Sequence, residues 1–145
     1  RGTDGQRARP LSKQRVTHGH FDVFVYGSLL SGIHYHQQLS GARTIGEDWT
    51  EARFTMLDLG PYPGVLEGGE TAIRGEIYRV DAVHLARLDS FERVPELYRR
   101  ISTRLQSGRV VDMYALSGPR SEEEFPRVEG GDWRAWLALR KADSS

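Results

Sequence analysis

The stretch Phe21-Asp22-Val23-Phe24-Val25-Tyr26-Gly27-Ser28-Leu29 decides how the rest of the chain is read. Residues 21–26 are rich in β-branched and aromatic side chains and are closed by Gly27, the pattern of a short buried strand. Ser28 to Gly32 then reads as a turn leading into a short helix, Ile33 to Leu39. Successive N–H groups after a strand end can form a small anion-binding concavity. Gly27 would let a ligand approach the backbone with no Cβ in the way. A turn that binds nothing fits the same residues. Two common sites are excluded here. No Gly-Lys-Ser/Thr follows, so this is not a phosphate loop. Tyr26 and Leu30 stand where a nucleophile elbow around Ser28 needs glycines.

Working outward, further strands are expected at Ala52–Leu57, Ile73–Val80, Tyr98–Leu105 and Arg109–Leu116. The last two are joined by Gln106-Ser107-Gly108, a short hairpin connection. Asp81 can cap a helix over Ala82–Phe91, and a second helix begins near Asp132, with Trp133, Trp136 and Leu137 on one face. Many strands with few helices, and no regular βαβ alternation, predict an α+β fold with a strongly curved or barrel-like sheet. Residues 1–20 are basic and nearly devoid of core formers. They read as a disordered extension, with a single domain over residues 21–142. Ser117 to Gly131 reads as a loop whose run Glu122-Glu123-Glu124 is a solvated face.

The 145 residues are 38% apolar and 28% charged, an ordinary composition for a protein with a buried core. Twenty basic residues balance 20 acidic ones, so charge gives no case for nucleic acid or an anionic membrane as partner. The absence of cysteine excludes disulfides, thiolate nucleophiles and thiolate metal sites. No apolar run approaches a membrane span and the N-terminal stretch lacks the apolar core of a signal peptide, so a cytoplasmic location is expected.

Glu92 is the most informative position. At about 100° per residue it falls between Leu85 and Leu88, within about 40° of each, on the face those leucines must bury. A carboxylate directed inward at a helix C-terminus is disfavoured both by burial and by the helix dipole, and its pKa should rise towards the range of a general base. Periodicity equally allows the helix to end by Phe91 and Glu92 to swing out to Arg93 or Arg99. Asp89 lies one turn earlier and can neighbour Glu92 or pair with an arginine. Tyr62, in Gly60-Pro61-Tyr62-Pro63-Gly64, sits in a rigid turn that could project its ring over a pocket or simply form a corner. His34 and His36 would diverge on a helix and make a weak metal site.

Four segments, in order, resemble the γ-glutamylcyclotransferase-like family, which includes AIG2-like proteins and γ-glutamylamine cyclotransferases. They are Val25-Tyr26-Gly27-Ser28-Leu29 with Gly32; Gly60-Pro61-Tyr62-Pro63-Gly64; Leu88-Asp89-Ser90-Phe91-Glu92 with Tyr98-Arg99-Arg100; and Gly131-Asp132-Trp133. The likeness spans roughly residues 22 to 136. It implies a small mixed β-barrel flanked by helices, with a cavity at the Tyr-Gly-Ser-Leu turn. It assigns Glu92 as the catalytic residue and turns the inward reading of its side chain into the expected one. It places the γ-glutamyl part of a substrate against Tyr26, Gly27, Ser28 and Leu29, with Tyr62, Tyr98 and Tyr114 as pocket aromatics and Asp89 and Arg100 in support.

The implied reaction expels an amine from a γ-glutamyl amine or γ-glutamyl amino acid and forms 5-oxoproline, with no metal or other cofactor. A binding module on the same fold, or a γ-glutamyl amide hydrolase, are the rival readings. Arg93 departs from the family, which often has glycine there. Its cation could lower the Glu92 pKa or shape the leaving-group side of the pocket. The leaving amine and the oligomeric state are not specified by the sequence.

Overall fold

The computed structural model describes residues 19–117 and 124–143. Seven strands and two helices form it: β1 (His20–Val25), β2 (Arg43–Trp49), β3 (Phe54–Asp58), β4 (Pro63–Glu67), β5 (Arg74–Asp81), α1 (Ala82–Phe91), β6 (Tyr98–Arg104), β7 (Val110–Leu116) and α2 (Trp133–Asp143). Five strands make one mixed sheet in the order β2-β5-β1-β7-β6, in which only the β1–β7 pair is parallel. β3 and β4 form a separate antiparallel ribbon. The expected barrel is thus open among the described residues: single bridges such as Thr50–Leu105 join its parts in place of a continuous ladder.

β1 lies at the centre of the sheet, and Val23, Phe24 and Val25 are buried, as an uninterrupted apolar run requires. α1 follows β5 without a loop. Asp81 caps it by accepting the His84 N–H at 2.8 Å, and Leu85 and Leu88 enter the core. At its other end the Arg93 N–H donates to the Ser90 carbonyl and the Val94 N–H to the Asp89 carbonyl, both at 3.0 Å. This is a Schellman closure with Glu92 at the C-cap and Arg93 in the left-handed position, φ 57°.

The sequence reading differs from the structure in three further places. The expected helix Ile33–Leu39 shrinks to one 3-10 turn, His36–Leu39. β2 was not foreseen, because it is a half-exposed edge strand with Gly46 and a register shift at its middle, and so lacks alternation. β4 was not foreseen either, since Pro63 and Gly64 read as turn residues. Pro63 is tolerated as the first residue of a strand on a two-stranded ribbon. What the sequence leads one to expect of residues 1–18 and of Glu122 and Glu123 lies outside the described residues, and no helix among those described is long and apolar enough to cross a membrane.

Candidate active site

A cavity of about 380 Å³ opens where β1 ends, between the turn Gly27–Leu29, the Pro61–Pro63 segment and the C-terminal end of α1. It gathers Tyr26, Gly27, Ser28, Leu29, Tyr62, Glu92, Tyr98 and Tyr114, residues far apart in sequence that the resemblance placed together. Asp89 and Arg100 do not line it.

The floor of the cavity is a set of tyrosines whose hydroxyls are already engaged. Tyr26 donates to the Tyr114 carbonyl at 2.6 Å and Tyr98 to the Pro63 carbonyl at 2.7 Å. Tyr114 donates to Asp89 Oδ1 at 2.7 Å, and Arg100 grips the same carboxylate with Nε at 3.0 Å and Nη2 at 3.2 Å. Asp89 and Arg100 therefore act from behind, orienting the Tyr114 ring. These hydroxyls are donors committed to the scaffold. What they offer the cavity is ring surface.

Among the described residues Glu92 is the sole carboxylate on the cavity wall. Burial pushes its pKa from 4.5 up to about 7. The outward alternative is excluded, since Arg99 pairs with Glu67 and Glu92 joins no ion pair among the described residues. Arg93 does not lower the Glu92 pKa either. Its side chain is exposed at the cavity rim, and desolvation governs the shift.

The turn that shares the cavity with Glu92 is tied to β5 through Ser31. Glu76, buried on β5, accepts the Ser31 N–H and the Ser31 hydroxyl, each at 2.8 Å, the Tyr78 hydroxyl at 2.8 Å, and Arg134 Nη2 at 3.2 Å. Burial alone would raise the Glu76 pKa, but these donors outweigh it and hold the carboxyl below its ordinary value. Arg134 also donates to the Ser31 carbonyl. Within the turn, the Leu30 N–H bonds the Gly27 carbonyl at 3.0 Å, and the Tyr35 N–H bonds the Ser28 carbonyl at 2.9 Å. The N–H groups of Ser28 and Leu29 have no acceptor among the described residues, which leaves them available to a ligand. Gly27 has a packing reason as well: a Cβ there would stand 2.6 Å from Pro63 Cγ, so the glycine is also needed by the facing wall.

Sequence reasoning missed Tyr35, Phe91, Pro63 and Leu97 on the lining. Tyr35 meets Phe91 edge-on with ring centroids 5.3 Å apart. Tyr35 lies in a loop with no periodicity to mark it. Phe91 carries the helical signal, and could have been found as the neighbour of an inward Glu92. His34 packs edge-on against Tyr35, and His36 Nδ1 donates to the Leu29 carbonyl at 3.0 Å. No metal-ligating cluster occurs among the described residues.

Comparison with known proteins points the same way. Residues 23–135 match the family described as gamma-glutamyl cyclotransferase, AIG2-like. A Vibrio cholerae protein that bears the name gamma-glutamylcyclotransferase provisionally is 44% identical over 111 residues, covering 77% of this chain and 93% of the relative. A crystal structure of an uncharacterized Pyrococcus horikoshii protein superposes with a TM-score of 0.68 at 25% identity, over 84% of this chain and 97% of the other. The mouse AIG2-like protein superposes with a TM-score of 0.66 at 26% identity, over 77% and 88%.

Proposed function

This chain belongs to the gamma-glutamyl cyclotransferase, AIG2-like family, and we propose that it releases an amine from a γ-glutamyl amide by internal attack, forming 5-oxoproline with Glu92 as acid and base. The observation that carries this reading is one carboxyl group, poised near pH 7, on the wall of a cavity also lined by Ser28 and Leu29, whose N–H groups have no acceptor among the described residues.

The chemistry follows from those parts. The substrate's α-amino nitrogen attacks the γ-carbonyl carbon, the new C–N bond closes a five-membered ring, and the bond to the leaving nitrogen breaks. Near neutrality the α-amine is largely protonated, so it must lose a proton before it can attack. Ionised Glu92 accepts that proton. The attacking nitrogen sheds a second proton once the new bond has formed, and Glu92 carries the two protons one at a time to the departing nitrogen, which leaves as an ammonium and returns Glu92 to its ionised form. Both nitrogens are bonded to the same carbon in the tetrahedral intermediate, so a single carboxyl can serve both without moving far. A pKa near 7 suits a group that must take and return a proton in one cycle.

The Ser28 and Leu29 N–H groups face charge that builds on the carbonyl oxygen, and losing one such donor costs about 3–4 kcal/mol of barrier lowering. The aromatic walls fold the flexible glutamyl chain towards its attack geometry, where effective molarities are large. Every role here is filled by a side chain or backbone group of the chain itself.

The reading is tested by incubating the protein with γ-glutamyl amines and γ-glutamyl amino acids and weighing the products. 5-Oxoproline is the expected product. Free glutamate in its place would make the protein a hydrolase, and binding without turnover across the panel would make it a binding module.

A further inference from the structure

Among the described residues only two charged side chains reach the cavity: Glu92 on its wall and Arg93 at its rim. Arg93 is there by an unusual backbone choice. It occupies the left-handed position of the Schellman closure, φ 57°, where glycine is free of the Cβ clash that any other residue meets. Holding a non-glycine residue in this region strains the backbone. No helix-closing need explains the arginine, because the closing hydrogen bonds are made by backbone alone. Nor is the guanidinium taken up by structure. It is exposed and joins no ion pair or side-chain hydrogen bond among the described residues. Of the other surface arginines, Arg74, Arg79, Arg99, Arg100, Arg109 and Arg134 pair with carboxylates, while Arg43 and Arg87 join no ion pair among the described residues but lie away from this cavity.

We propose that Arg93 is a specificity-determining residue that selects γ-glutamyl amides whose leaving amine carries a carboxylate, as an α-amino acid does. The assignment rests on the cyclotransferase reading for the direction in which the substrate lies. The end that cyclises must be enclosed, against the Gly27–Leu29 turn and the buried tyrosines. The leaving amine is then the end that projects towards the solvent-exposed rim, where Arg93 stands. There, the Tyr35 and Phe91 rings give an apolar flank and Arg93 supplies the one cation among the described residues. A planar guanidinium suits a carboxylate because it can donate two parallel hydrogen bonds.

The test compares γ-glutamyl-alanine with γ-glutamyl-ethylamide, which differ by that carboxylate alone. Binding is measured by calorimetry on the Glu92→Gln chain, where turnover should not deplete the ligand, with and without Arg93→Gly or Arg93→Gln added. With Arg93 present, the carboxylate ligand should bind roughly three- to tenfold tighter at low salt, with the advantage shrinking as salt is added. In both Arg93 variants the ratio should fall towards one. Arg93→Gly should also be at least as stable as its parent, since it relieves the left-handed strain, so a folding defect does not cloud the comparison. The assignment is overturned by an unchanged ratio, by an equal weakening of both ligands (Arg93 then grips the glutamyl end), or by failure of both to bind. Turnover of the same pair by the unmodified chain separates the two claims. An Arg93-dependent preference without any 5-oxoproline contradicts the reaction and keeps the assignment. Turnover with an Arg93-independent ratio does the reverse.

Discussion

Glu92 is in conflict with its surroundings, and the conflict can be measured. Its carboxyl titrates near 7 in the folded chain against 4.5 for an unperturbed glutamate, because burial disfavours the charge. Below about pH 4.5 both folded and unfolded chains hold this proton, so the group is neutral in the balance. Between 4.5 and about 7 the unfolded chain gives it up first, which favours unfolding. Stability should therefore fall as pH rises through this window and level off above it, and Glu92→Gln should remove that part of the slope. Denaturant melts of both proteins between pH 4 and 8 check this. Rates should move the opposite way, since the base must be ionised: kcat/KM should climb to a plateau with a midpoint near 7. A midpoint near 4.5 would mean that the carboxyl is solvated in the working enzyme. The inward direction of Glu92 was half legible in the sequence. The 3.6-residue period placed it over Leu85 and Leu88, but periodicity stops being informative where a helix ends. Glu92 is the cap residue, so its direction is set by the closure that follows.

At the scale of elements, the cavity is made by a strand end, a proline-rich corner and a helix end meeting. Gly27 ties two of them together. A methyl group there would overlap Pro63 Cγ at 2.6 Å and Cδ at 2.8 Å, on a buried ring at the start of β4 with little room to retreat. Gly27→Ala should thus cost about 1–3 kcal/mol of stability. It should also impair substrate binding by pushing the Pro61–Pro63 wall outward, read as a raised KM alongside a lowered melting temperature. A variant as stable as the parent would show that the corner yields freely. The sequence marked Gly27 and the Pro61–Pro63 corner as separate turns, and their contact is a tertiary fact that neither turn contains. The same holds for Glu76. As part of Arg74-Gly75-Glu76-Ile77-Tyr78 it reads as one more strand residue, yet it is the acceptor that fixes the turn through Ser31. α1, by contrast, was legible to its ends, because an N-cap aspartate and two buried leucines are local signals.

At the scale of the molecule, the sheet order β2-β5-β1-β7-β6 sets the early strand β1 between β5 and β7, two strands from the second half of the sequence. The turn after β1 is thereby brought beside β7, which carries Tyr114, and faces the end of α1, which follows β5. α2 fastens the separate ribbon from the other side: Trp136 Nε1 donates to Asp58 at 2.8 Å, and Arg140 donates to Asp58 and to the Gly60 carbonyl. The α+β class was legible from the count and spacing of strands. The open sheet was not, because closure depends on how the ribbon β3–β4 meets the rest, and a strand's sequence does not name its neighbour. All of this architecture serves one claim, that a single carboxyl carries protons from the attacking to the leaving nitrogen. The most direct measurement is 5-oxoproline release by Glu92→Gln beside the unmodified chain, on the best substrate of the panel, with near-UV circular dichroism to establish that both are folded. The expected result is a natively folded variant whose turnover falls by about 10²-fold or more. A folded variant that keeps the parent rate would contradict it.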